Sequence, residues 1–178
     1  LDSDSAAAMM STMGAATAAT AMEADSLASM IGVMDGEAIA QTLDAESAGS
    51  IAQALTRENL EGLGAEQAAG IATAMDPDQL AALDADQAAG MATAISAEPD
   101  QLLEMDSESV AAMATTMEAS DMGALGSDMV GTMMAAMDSE QLGGMSDEHM
   151  AEALDTTGAD YMGAGAANFD EIEATATF

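Results

Sequence analysis

Cysteine, tryptophan and lysine are absent from this chain of 178 residues, proline occurs twice, and Arg57 and His149 are the only basic side chains set against 33 carboxylates. Each absence closes a class of chemistry. Without cysteine there is neither a disulfide framework nor a thiolate metal site. Without lysine, Schiff-base chemistry and lysine cradles for phosphate are closed. A formal net charge of -32 repels nucleic acid and anionic lipid, so neither is expected as a partner. No apolar run of about 18 residues is free of charge, which predicts no membrane-spanning helix. His149 lies in MSDEHMAEAL with no nucleophile motif around it, and the paired carboxylates sit where exposed helix caps are expected. No catalytic residue is therefore assigned, and the chain is expected not to be an enzyme.

Apolar residues make up 49% of the chain, but they are mostly Ala and Met, with two Phe and one Tyr. Such a core must be thin and its elements closely spaced. Regular apolar spacing argues against disorder, which goes with low hydrophobicity. The crowded carboxylates favour a salt-rich setting, because screening shortens their mutual repulsion to roughly 8 Å at physiological ionic strength. We expect an extracellular or cell-surface protein, with the cytoplasm of a salt-accumulating organism as the alternative. A start at Leu1 without a basic segment fits a mature or trimmed chain.

The chain repeats itself. From Leu63 it reads LGAEQAAGIATAMDPDQLAA, and the continuation LDADQAAGMATAI nearly duplicates its start. Units begin at Leu43, Leu63, Leu83, Met105, Leu125 and Met145, most of them 20 residues long, with degraded copies from Leu1 and Met22. Apolar residues fall at the sixth, ninth, tenth and thirteenth positions, as in Ala68, Ile71, Ala72 and Met75, or Val130, Met133, Met134 and Met137. That is the stripe of an amphipathic helix. Asp84 with Gln87, and Asp106 with Ser109, mark its start. A shorter second helix is predicted in DPDQLAAL, where Asp76 caps, Pro77 needs no N–H partner and Gln79 completes a capping box; Glu98 and Asp138 open two further copies. Small residues at the seventh and eighth positions, such as Ala69 and Gly70 or Ala89 and Gly90, predict close approach of a neighbouring backbone. The expected fold is all-α: an α-solenoid of about eight two-helix repeats over residues 1–157, followed by an extended C-terminal docking or capping segment over 158–178.

The run MDPDQLAALDADQAAGMATAI resembles the N-terminal superhelical domain of MgtE-type magnesium transporters, whose short helices also begin at Asp-Pro-acid turns. The resemblance spans roughly Leu43 to Met145 and implies a similar helical stack.

Two kinds of site compete with purely structural roles. Asp76, Asp78, Asp84 and Asp86 are candidate oxygen ligands for Mg²⁺ or Ca²⁺, although the same residues serve as caps. Methionine clusters, Met9, Met10 and Met13 or Met133, Met134 and Met137, offer thioethers to Cu(I), although Met133 and Met137 fall on the core stripe. No cofactor is expected beyond weak binding of Mg or Ca. Tyr161, Phe169 and Phe178 are the only aromatics, and with Ile172 they are the candidate anchors by which the C-terminal segment docks. The functional expectation is a structural or interaction protein that self-associates or joins other protein subunits in an exported filament, coat or complex. A metal-binding module, either a divalent-cation sensor or a Met-rich copper carrier, is the alternative.

Overall fold

The computed structural model describes residues 2–158, and every regular element among them is helical. In chain order these are α1 (Ser3–Met13), α2 (Ala15–Ala21), α3 (Ala24–Ile31), α4 (Gly36–Thr42), α5 (Ala45–Ala54), α6 (Arg57–Glu61), α7 (Ala65–Ala74), α8 (Pro77–Ala81), α9 (Ala85–Ile95), a 3₁₀ helix (Pro99–Glu104), α10 (Ser107–Thr116), α11 (Ala119–Ala124), α12 (Ser127–Ala136), α13 (Ser139–Gly144) and α14 (Asp147–Thr157). From α5 onward, helices of 10 or 11 residues alternate with helices of 5 or 6.

Local chemistry explains the alternation. Long helices end on an apolar residue in extended backbone, such as Leu55, Met75, Met117 or Met137, and each of these is buried. In most cases the next side chain then caps the following helix. Asp76 accepts the Gln79 N–H at 2.9 Å while Gln79 reaches back to the Asp76 N–H, with Pro77 in the first turn. Thr56 with Asn59, Asp84 with Gln87 and Asp138 with Gln141 make the same reciprocal pair. A helix of five residues is unstable by itself. These reciprocal caps, and the burial of Leu60 and Leu80 beneath them, hold the short helices in place.

At Glu98 the expected cap is not formed. Its side chain makes no capping bond and residues 99–104 wind as a 3₁₀ helix. Glutamate is a poor cap because its longer chain overshoots the N–H groups that aspartate reaches. α9 also runs on to Ile95, and the Glu98 N–H is taken by the Ile95 carbonyl at 2.8 Å, so the approach differs from that at Asp76.

Packing obeys one rule. The principal contacts join each element to those two and three places further along: α2 to α5, α4 to α7, α6 to α9, α8 to α10, α11 to α14, and α5 to α7 to α9. The core is a continuous ribbon in which Ala68, Ile71, Ala72, Leu80, Ala88, Met91, Ala92 and Ile95 are fully shielded. Close spacing requires glycine at two crossings. A Cβ on Gly70 would strike the Gly36 carbonyl, and one on Gly90 would lie 2.9 Å from the Arg57 carbonyl oxygen. The helix-propensity cost of glycine, about 1 kcal/mol each, is offset by backbone approach that no side chain permits.

The apolar stripe is not buried throughout. Met133 and Met137 join the core, but Met9 and Met13 on α1 are 46% and 39% exposed. α1 packs against α2 and α4, both later in the chain.

Candidate functional site

Arg57 stands at the start of α6, where the Thr56–Asn59 capping box fixes the helix entry. Its guanidinium meets three carboxylates: Nε donates to Glu61 at 2.7 Å, Nη1 to Asp86 at 3.1 Å and Nη2 to Asp121 at 2.9 Å. Glu61 is one turn along the same helix, Asp86 is in the first turn of α9, and Asp121 is in α11. Asp86 is 75% exposed and contributes little, whereas Asp121 is 19% exposed and less screened by water. The three hydrogen bonds, to Glu61 first, then Asp121 and Asp86, push the arginine pKa further up, so its charge is permanent. This is a fixed ionic clasp rather than a reactive group.

A second arrangement recurs along the chain. Gln67 Nε2 donates to the Met34 carbonyl at 2.8 Å, Gln87 Nε2 to the Leu55 carbonyl at 3.2 Å as well as to the Gln53 carbonyl at 3.0 Å, and His149 Nε2 to the Met117 carbonyl at 2.8 Å. Donor and acceptor are 33, 32 and 32 residues apart. In the repeat numbering each donor is the fifth residue of its unit, and Met34, Leu55 and Met117 are each the thirteenth of the unit two earlier. Since a carbonyl only accepts, His149 carries its proton on Nε2, and Ser146 Oγ lies 2.6 Å from Nδ1. The sole imidazole thus performs the task that glutamine performs elsewhere. Three more long-range bonds keep a similar spacing, Asp35 N–H to Ser3, Asn59 to Asp25 and Gln141 to Ser107 at 32, 34 and 34 residues, whereas Arg57 to Asp86 spans 29. Arg57 to Asp121 spans 64, twice the recurring spacing.

An open groove of about 410 Å³ lies beside these contacts, rimmed by Asp35, Glu37, Glu66 and Glu104 and floored by Gly36 and Gly70. Its carboxylates make it attractive to cations in general. Among the described residues no three imidazole or carboxylate groups converge closely enough to hold a metal ion.

The four candidate ligands are dispersed over different tasks. Asp76 and Asp84 accept capping N–H groups, Asp86 pairs with Arg57, and Asp78 stands in the first turn of α8 with its carbonyl accepting from Ala82 N–H. Asp2 and Asp44 show what such caps do electrostatically. The Ser5 hydroxyl and N–H hold the Asp2 carboxyl below its usual value, and the Ser47 hydroxyl and N–H do the same for Asp44. Of the methionine clusters, Met10, Met133 and Met137 are buried among other apolar side chains. Tyr161, Phe169, Ile172 and Phe178 lie outside the described residues.

Sequence reading missed the Arg57 clasp, two of whose three partners lie 29 and 64 residues away. It also missed the ladder of fifth-position donors, for which a signal existed: Gln67, Gln87 and His149 recur at one register. No helix among the described residues is long and apolar enough to cross a membrane. No protein-family model, curated protein or solved structure matches this chain.

Proposed function

We propose that the chain is a non-enzymatic structural protein: an acidic α-solenoid of about eight two-helix repeats with a 20-residue period that self-associates or packs with other protein subunits. Its setting is a larger exported filament, coat or complex. The recurring bond from the fifth residue of a unit to the thirteenth, 32 or 33 residues back, carries this reading. A bond that recurs at one register and reaches two units back each time is what a regular stack of repeats would make, and stacks of this kind offer long faces and two ends for repetitive association. The titratable groups support the same conclusion, since Arg57, His149, Asp76 and Asp84 are all engaged in holding backbone or neighbouring side chains in place. Weak, charge-driven association of Mg²⁺ or Ca²⁺ with the carboxylate surface accompanies the structural role.

Electron microscopy of the purified protein across a range of salt and Mg²⁺ concentrations tests the proposal. Ordered filaments or sheets are expected once the charge is screened, together with a rise in melting temperature. Single particles under every condition, with no higher species in solution, would overturn self-association.

A further inference from the structure

Three positions of the unit behave differently in the first and the last of the described units. The ninth residue is Met9, Met30, Ile51, Ile71, Met91, Met113, Met133 and Ala153 in succession; Met9 is 46% exposed and the other seven are buried. The thirteenth shows the same trend, with Met13 39% exposed and Met34, Leu55, Met75, Ile95, Met117 and Met137 buried. At the tenth residue the order reverses. Met10, Ile31, Ala52, Ala72, Ala92 and Ala114 are buried, Met134 is half-buried and Leu154 is 39% exposed.

The stripe therefore has two flanks. Elements earlier in the chain cover the ninth and thirteenth residues, and elements later in the chain cover the tenth. α1 packs on α2 and α4, both later in sequence, and of these three positions keeps only the tenth, Met10, covered. α14 packs on α11 and α12, both earlier, and keeps only its ninth-position Ala153 covered. Among the described residues, each end lacks the cover that the other end supplies. The C-terminal face is also enlarged: the tenth residue is Ala in four successive middle units but Met134 and Leu154 in the last two, with Met150 and Leu142 half-buried beside them. Solenoids that stay monomeric close their ends with polar capping repeats. Here both ends present large apolar side chains.

We propose that a second copy of this chain covers them, head to tail, with Met9 and Met13 on α1 of one molecule packing on Leu154 and Met150 of α14 of the next. The inference rests on the self-association reading above and specifies its geometry. The interface is heterologous, so it propagates instead of stopping at a dimer. Both faces are flanked by carboxylates, Asp4 on one and Glu148, Glu152 and Asp155 on the other, so the junction forms when salt shortens their repulsion.

Sedimentation velocity of the full chain, in low salt and in roughly 1 M NaCl, where the Debye length is about 3 Å, tests this with two end variants and a control. Met9→Glu with Met13→Glu blocks one face and Leu154→Glu the other, while Thr115→Glu adds charge on an exposed helix position away from both. Circular dichroism melts confirm that all three remain folded. Expected in high salt are oligomers of the parent and of Thr115→Glu that lengthen with concentration, monomers of each end variant alone, and a 1:1 dimer when the two end variants are mixed. That dimer forms because one intact face of each kind survives. Oligomers undiminished in both end variants would show association through the sides, overturning the end-to-end inference while leaving self-association standing. Loss of assembly in Leu154→Glu but not in the Met9→Glu, Met13→Glu variant would mean a symmetric contact between C-terminal faces, which also overturns it. A monomeric full chain that assembles only after removal of residues beyond Gly158 would show that its own tail covers the C-terminal face, overturning the inference for the intact chain. A parent that stays monomeric in all salt, with or without the tail, would overturn both this inference and the reading it rests on.

Discussion

α9 and α14 are both eleven residues long, both begin with a capped turn and both occupy the long-helix half of a repeat unit, yet seven residues of α9 are buried and only Ala153 of α14. Propensity cannot account for this, because α9 carries Gly90 and α14 carries no glycine. The neighbours account for it. α9 is packed by α6 and α7 on one side and α10 on the other, whereas α14 packs mainly on α11 and α12. In this molecule the burial of a helix depends on how many neighbours flank it.

The sharpest way to break that contrast is at glycine. Gly70→Val should unfold or severely destabilise the middle of the molecule, by roughly 3 kcal/mol or more, because the new Cβ strikes the Gly36 backbone and helix-propensity gain cannot compensate. Gly143→Ala, on the penultimate helix α13 with open space around it, should instead stabilise by up to about 1 kcal/mol. Urea titrations of the two variants against the parent give the comparison directly. Equal responses would mean that the middle and the end are packed alike.

Arg57→Ala comes next. It releases Glu61, Asp86 and Asp121 together, leaving the half-buried Asp121 without its cation, and a loss of about 1–2 kcal/mol is expected at low salt. The loss should shrink as salt is raised, whereas the glycine effect should not. Melting temperatures of the two variants over a salt series separate charge from packing.

His149 offers a smaller test. If it serves as a fifth-position donor, His149→Gln should keep stability within about 0.5 kcal/mol, since Gln67 and Gln87 do the same work. His149→Leu should lose about 1 kcal/mol with the bond to the Met117 carbonyl. A large penalty for the glutamine variant would point to another duty for the imidazole.

The smallest effect lies in a cap. Asp44 has its pKa lowered in the folded state, so its contribution to stability is fully present above the unfolded carboxyl value near 3.8 and is lost as pH falls through the folded value. Asp44→Ala should therefore melt slightly lower than the parent at neutral pH, and the difference should close in acid below that value. A gap that persists at low pH would mean the cap acts through something other than its charge.

The features legible in the sequence were local. The Asp76–Pro77–Gln79, Asp84–Gln87 and Asp138–Gln141 starts were legible because a cap and its target are three residues apart. The core stripe was legible because helical periodicity is a property of one segment. The 3₁₀ turn after Glu98 was not, since it depends on where α9 ends. Nor were the exposure of Met9 and Met13 or the partners of Arg57, because these are set by which element lies alongside. Periodicity says that a face will be apolar, but the element that comes to cover it is chosen by the packing of distant segments.

The spacing of 32 to 34 residues that recurs in these side-chain hydrogen bonds, most of them to backbone groups, also bears on how the chain acquires its structure. Loop closure costs entropy that rises with the logarithm of loop length, so each of these bonds closes a loop of nearly constant size and carries a nearly constant penalty. The sequence separation of these contacts does not grow along the chain, and formation should proceed stepwise from one such contact to the next. During synthesis, each segment can dock once about 33 residues have emerged beyond its partner, as from Met34 to Gln67, without waiting for the rest of the chain. The bond from Arg57 to Asp121, at 64 residues, must wait roughly twice as long, which makes it a late lock on an already folded middle.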